Sequence, residues 1–269
     1  MEDLTSLIPV IKRARGYRLY SISGRRYLDL SLSGGYNLLG HRPTSFINGL
    51  KQVCEKGLLS DLPSIYGRRL VKALRGFFPD YHSFYAAASV TELLSVAGAA
   101  LGRPLTAADI HDPLRESHSS APISVWRPFF SGNVLSDMIL PVLPTGMGPA
   151  LFVLCAKQAA PSETGQIPVL SPLVLSAVLQ SLRLLKSLTL PEYYRPHLPG
   201  SPALFIQKDI YLVPRCSEAE YRGVFTRFLD AGVVLSPRYA APSILPFELS
   251  PGELQNLLRL FDNQKEGTT

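Results

Sequence analysis

Few residues in this chain combine the type and the spacing that chemistry needs. Asp109 and Asp112 are isolated acids in a polar stretch, without the partner spacing that glycoside hydrolysis uses. Cys54, Cys155 and Cys216 are odd in number and far apart, with no CxxC pair, and the five histidines are scattered. Neither a disulfide framework nor a metal site is expected from them. Gly146 and Gly148 are too few for a dinucleotide fingerprint, and the chain has no Walker loop, GxSxG elbow or HExxH pair. Lys157 is the only lysine between Lys72 and Lys186.

The elements that must position these residues are legible in part. Residues 17–22 and 25–30 flank Ser23-Gly24, which predicts a β-hairpin because Gly accepts positive φ. Ile47, Leu50 and Cys54 recur at helical spacing, with Gly57 as the stop. A second helix is predicted from about Ser64 to Gly76, with Ile65, Leu70, Ala73 and Leu74 inward and Arg68, Arg69, Lys72 and Arg75 outward. A third, over 90–101, has Val90, Leu93, Leu94, Ala97 and Leu101 on one face and a Ser89/Glu92 capping box.

Residues 104–132 have weak periodicity and read as irregular, followed by strands at 137–143 and 150–155. Ser171-Pro172 opens an amphipathic helix to about Leu188. Prolines at 191, 196, 199 and 202 give 189–202 linker composition. The tail then reads strand (203–206), strand (210–213), helix (217–231), strand (233–236), helix (250–262), with capping boxes at Ser217/Glu220 and Ser250/Glu253. That order predicts helices covering a small antiparallel sheet.

With 269 residues, 46% of them hydrophobic and 18% charged, the chain has the composition of a globular protein with a large core. A net charge of +6 permits acidic partners without naming one. Lys12, Arg13, Arg15, Arg18, Arg25 and Arg26 are read as a solvated hairpin face, since no aromatic–basic recognition motif accompanies them. The apolar stretch 133–155 is broken by Asp137, Pro141, Pro144, Gly146 and Pro149, so buried strands and turns are expected there, not a membrane span. Residues 1–15 lack a signal-peptide core, and a cytoplasmic location is the expectation.

Two stretches carry a family resemblance. Gly16, Leu19, Gly24, Tyr27, Leu28 and Asp29, then Leu39, Gly40, His41 and Pro43, resemble the early hairpin and the L-G-H-x-P loop of class III aminotransferases, with Ser21 where the first Asp would stand. Ser171-Pro172-Leu173-Val174-Leu175-Ser176-Ala177 resembles the family's N-P-L-A-L-A-A helix start, and Gly232 to Leu235 with Pro246 resembles its C-terminal domain. These enzymes use pyridoxal phosphate (PLP) on fold type I. The resemblance implies an α/β protein: a reduced large domain of the PLP-transferase type, plus a small α+β domain built from N- and C-terminal segments. The implied division is 1–60, 61–188 and 189–269. His41 is expected to be structural.

The residues that would hold the cofactor do not follow the family. Ala86 to Glu92 stands where the phosphate cup S-G-(S/T)-E-A-x-E would be, and there Ser89 reads as an N-cap. Residues 136–148 can be laid on the lysine region, which puts Leu143 at the Schiff-base position with Gly146 and Gly148 on the glycines. Alternatively they fall on an earlier V-E-P-V-type strand, and 151–156 becomes the D-E-V strand with Cys155 and Ala156 replacing its acids. Neither register contains the lysine. PLP works as an electron sink only with both that lysine and the ring-pairing acid. Lys157 is the one available substitute, and a solvated strand end is the plainer account of it. Ser243 occupies the place of the carboxylate-gripping Arg, with Arg238 nearby.

No catalytic, cofactor-binding or metal residue is therefore assigned. The expectation is an aminotransferase-like pseudoenzyme that expects no cofactor and acts by binding or assembly. It would form a homodimer or pair with a related chain, without nucleic acid, membrane or metal partners. The competing expectations are a PLP-dependent transaminase or aminomutase using Lys157, and an interaction partner of a full-length relative.

Overall fold

The computed structural model describes residues 3–60, 62–115, 120–158, 170–190 and 204–262. Contacts divide the chain into two compact units, Met1–Arg42 with Thr189–Thr269, and Pro43–Leu188. The fold is mixed α/β.

In the first unit, strands β1 (Ile11–Arg15), β2 (Arg18–Ser21), β3 (Arg26–Asp29) and β11 (Val233–Val234) form one sheet in that order. The predicted hairpin is β2–β3, closed by a turn in which Ser21 Oγ accepts the Arg25 N–H at 3.1 Å. β1 adds an antiparallel strand that the sequence reading lacks. β9 (Phe205–Lys208), β10 (Tyr211–Pro214) and β12 (Ser243–Ile244) form a separate antiparallel sheet. Residues 233–234 do not join it, contrary to expectation; β11 runs parallel to β3, a partner some 200 residues away that no local pattern announces.

Helices α5 (Glu218–Asp230) and α6 (Pro251–Asp262) match the sequence closely because their starts are capped locally. Ser217 and Glu220 form a reciprocal box, as do Ser250 and Glu253. Phe205, Phe228 and Phe261 meet between 5.8 and 6.0 Å and center this unit's core. The expected linker lies almost wholly outside the described residues.

The second unit is a five-stranded sheet ordered β4 (Ser83–Ala87), β8 (Phe152–Ala156), β7 (Met138–Pro141), β6 (Ile123–Trp126) and β5 (Ile110–His111). α1 (Thr44–Glu55), α2 (Ile65–Phe77) and α4 (Pro172–Ser187) pack on one face, with Val53, Leu70, Leu74, Leu175 and Leu182 against Phe84, Ile139 and Val153. α1, which the sequence reading groups with the hairpin, packs on α4 within this unit. α3 (Val90–Leu101) covers the other face through Leu93, Leu94 and Ala97.

Three local expectations need correction. Ile65 is exposed, and Tyr66 takes the inward position beside Leu70 and Leu74. Leu101, at the last turn of α3, is exposed as well. The stretch 104–132 is not irregular, because it contributes β5 and β6. Those strands have two and four residues, too short for a period, and they pair in parallel with partners that no tight turn supplies.

Candidate functional site

Strand directions define the edge where chemistry would sit. β5, β6 and β7 are mutually parallel, whereas β8 is antiparallel to both β7 and β4. Four strands, β4, β5, β6 and β7, therefore point one way, and β8 alone points back. Open α/β sheets bind ligands beyond the carboxyl ends of their parallel strands. Here that edge gathers the ends of β4, β7, β6 and β5, which lead into Ser89, Leu143, Arg127 and Asp112.

After β4 the chain turns into α3. Ser89 has extended backbone, φ −136° and ψ 151°, and its Oγ accepts the Glu92 N–H at 3.3 Å. It is an N-cap, as its spacing predicts, but the box is only half made. The Glu92 carboxylate accepts from the Ser89 hydroxyl at 3.2 Å instead of reaching the backbone. Ala86 and Ala87 are buried.

After β7, Leu143 is buried in the apolar cluster beneath α2 and α4. The turn that follows has Gly146 and Gly148 both at φ +67°. Thr145 closes it, donating to the Gly148 carbonyl at 2.6 Å. A Cβ on Gly146 would lie 3.0 Å from the Phe46 ring, so both conformation and space call for glycine there.

After β6 and β5 stand the two residues that the sequence reading did not bring together. Arg127 donates from Nη2 to Asp112 Oδ2 at 2.7 Å and from Nε to Asp112 Oδ1 at 3.2 Å. Asp112 Oδ1 also accepts the Leu114 N–H at 3.1 Å. The pair is mostly enclosed, with side chains 10% and 20% exposed. Asp112 is thus no isolated loop acid. Its partner lies on the next strand, and the only signal was a short apolar run, Ile123 to Trp126, ending at an arginine. Asp109 does separate work, pairing with Arg103 at 2.7 Å and capping the turn that starts at Thr106.

Lys157 lies at the other edge. β8 ends beside the starts of β4 and β7, in the pairs Ala156 with Ser83 and Ala156 with Met138. Lys157 follows directly, roughly 14 Å along the strand from the carboxyl edge. Its Nζ donates to the Leu135 carbonyl at 2.8 Å and stands 3.7 Å from Asp137. It borders a cavity of about 350 Å³ lined by Leu101, Leu135, Ser136, Asp137 and Met138.

Two of the three thiols, Cys155 and Cys216, are poor nucleophiles. Burial pushes the Cys155 thiol far up and the Cys216 thiol up as well. Among the described residues no cluster of His, Cys, Asp or Glu could hold a metal.

In the first unit, His41 Nε2 pairs with Asp29 Oδ2 at 2.8 Å, while Asp29 Oδ1 accepts the N–H groups of Ser31 and Leu32. His41 also exchanges two backbone bonds with Gly16, and a Cβ on Gly40 would lie 3.0 Å from the Gly16 carbonyl oxygen. The L-G-H segment is held by this packing. Ser243 is buried and accepts the Ser236 N–H at 2.9 Å. Arg238 is 71% exposed and meets Asp3.

Comparison with known proteins agrees with this architecture. The chain has the PLP-transferase-like fold of the aminotransferases. It superposes on ornithine δ-aminotransferase of Plasmodium falciparum with a TM-score of 0.72, covering 94% of this chain and 92% of that one at 14% identity. For N-acetylornithine aminotransferase of Stenotrophomonas maltophilia the TM-score is 0.63, with 94% of each chain covered at 14% identity.

By sequence, the chain is 29% identical to an uncharacterized protein of Borreliella burgdorferi, over 94% of this chain and 90% of that one. A shorter match, 31% identical over 71 residues, falls on glutamate-1-semialdehyde 2,1-aminomutase of Caldicellulosiruptor saccharolyticus, 26% of this chain and 17% of that enzyme. No protein-family model matches. Among the described residues no helix is long and apolar enough to cross a membrane.

Proposed function

We propose that this chain is an aminotransferase-fold protein that has lost PLP chemistry and acts by binding or assembly in the cytoplasm, as a homodimer or paired with a related aminotransferase-like chain. The observation that carries the reading is the make-up of the carboxyl edge. β5 closes on Asp112-Pro113, an acid–proline step like that of the V-E-P-V strand, and β6 and β7 follow beside it in order. That order favors the register in which Leu143 stands at the lysine position.

On this register the strand that would supply the ring-pairing acid ends instead in Arg127. A guanidinium there, already paired with Asp112, offers no acceptor for a pyridine N–H, and a buried leucine offers no amine for an imine. These residues do not fit PLP. Lys157 does not make good the loss, because β8 delivers it to the opposite edge.

Absorbance of the protein titrated with PLP, before and after borohydride, tests this. The expected result is no imine band and no reducible adduct, with the wild type and Lys157→Ala alike. An imine band that Lys157→Ala abolishes overturns it. Elution of the pure chain as a monomer, with no binding to a related chain, removes the assembly part.

A further inference from the structure

Helices α2 and α4 hold six basic residues and no acidic one: Arg68, Arg69, Lys72, Arg75, Arg183 and Lys186. All six are exposed, and among the described residues none has an acidic partner. Tyr66, Leu70 and Leu74 turn inward, so the 3.6-residue period sends the four α2 cations out together. Lys186 Nζ donates to the Gly76 carbonyl at 2.9 Å, which sets the last turns of α2 and α4 side by side. Arg183, one turn earlier, extends the row. Like charges three and four apart repel one another, and a bound anionic surface relieves that repulsion.

The same stripe has an apolar end. Leu59, Leu62 and Ile65 are 55%, 62% and 49% exposed, and Ile65 lies one turn before Arg68 and Arg69 on the outer side of α2. Over residues 58–76 the sequence sets four cations against one acid, Asp61. A nucleic acid would match the charges but leave the leucines in water. A bilayer surface matches both, with acidic headgroups for the cations and the acyl boundary for the leucines.

We propose that this face of the second unit docks peripherally on an anionic lipid surface. The proposal is independent of the PLP reading. It departs from the expectation of no membrane partner, which considered only spanning segments.

Cosedimentation of the full chain with phosphatidylcholine vesicles, with and without phosphatidylglycerol, is the test. Binding is expected on the anionic vesicles alone, weakening as salt rises. At about fivefold per cation, the combined Arg68→Gln, Arg69→Gln, Lys72→Gln and Arg75→Gln variant loses about 600-fold. Leu59→Ser with Leu62→Ser loses about tenfold. Lys12→Gln, Arg13→Gln and Arg15→Gln, which remove charge from β1 instead, leave binding unchanged. All these positions are exposed, and far-ultraviolet circular dichroism verifies the fold. Equal binding to neutral vesicles, no binding to anionic ones, or an α2 variant that binds like wild type overturns the proposal. So does duplex DNA binding more tightly than the vesicles through the same four residues.

Discussion

Arg127 and Asp112 grip each other across the ends of two neighboring parallel strands, with Nη2 and Oδ2 2.7 Å apart. Two parallel, charge-assisted bonds make this a well-formed ion pair at the carboxyl edge. Because the pair is mostly enclosed, removing Asp112 takes away the bidentate partner of a buried guanidinium. Asp112→Ala is expected to destabilize the protein by about 3 kcal/mol in urea melts. A change under about 1 kcal/mol would mean that water already screens Arg127.

Leu143→Lys puts an amine at the position where the proposed register would lay the cofactor lysine. The site is an apolar cluster, so the ammonium is desolvated without an acid beside it. A loss of about 4 kcal/mol is expected, smaller at alkaline pH where the amine is neutral. No imine band with PLP should appear, since the position is enclosed in that cluster, out of reach of the aldehyde. Thermal melts across pH and an absorbance scan decide both points.

Gly98 lies inside α3, where alanine ordinarily gains about 1 kcal/mol. Here the added Cβ would lie 2.7 Å from the Arg103 carbonyl oxygen, a backbone atom. Gly98→Ala should therefore destabilize, by about 1–3 kcal/mol. A raised melting temperature would show that the 102–105 turn moves freely.

Glu253 gives the first unit an acid-sensitive anchor. Burial raises its carboxyl pKa, but bonds from Arg18 and Ser250 outweigh that and hold it at about 2, below its ordinary 4.5. A depressed folded-state value means the stabilization is complete above pH 4.5 and is lost as pH falls toward 2. The stability gap between wild type and Glu253→Gln should be constant near neutrality and close over that acid range. A gap independent of pH would remove the Arg18–Glu253 bond as its source.

Residue type and local spacing by themselves determined the capped helices. Ser89, Ser217 and Ser250 start helices where their spacing to Glu92, Glu220 and Glu253 says they should, because a cap is satisfied within one turn of chain. That residues 136–156 contain no lysine was legible for the same reason: it is a matter of residue identity.

Strand direction was decided only by the tertiary structure. Whether β8 runs with β7 or against it is not written in the apolar run 151–156, yet that choice sends Lys157 to the edge opposite Ser89, Leu143 and Arg127. The parallel pairings of β5 with β6 and of β11 with β3 were hidden likewise, since their partners lie across long crossovers that leave no periodic mark. Asp112 met Arg127 by that route, through packing of the sheet as a whole.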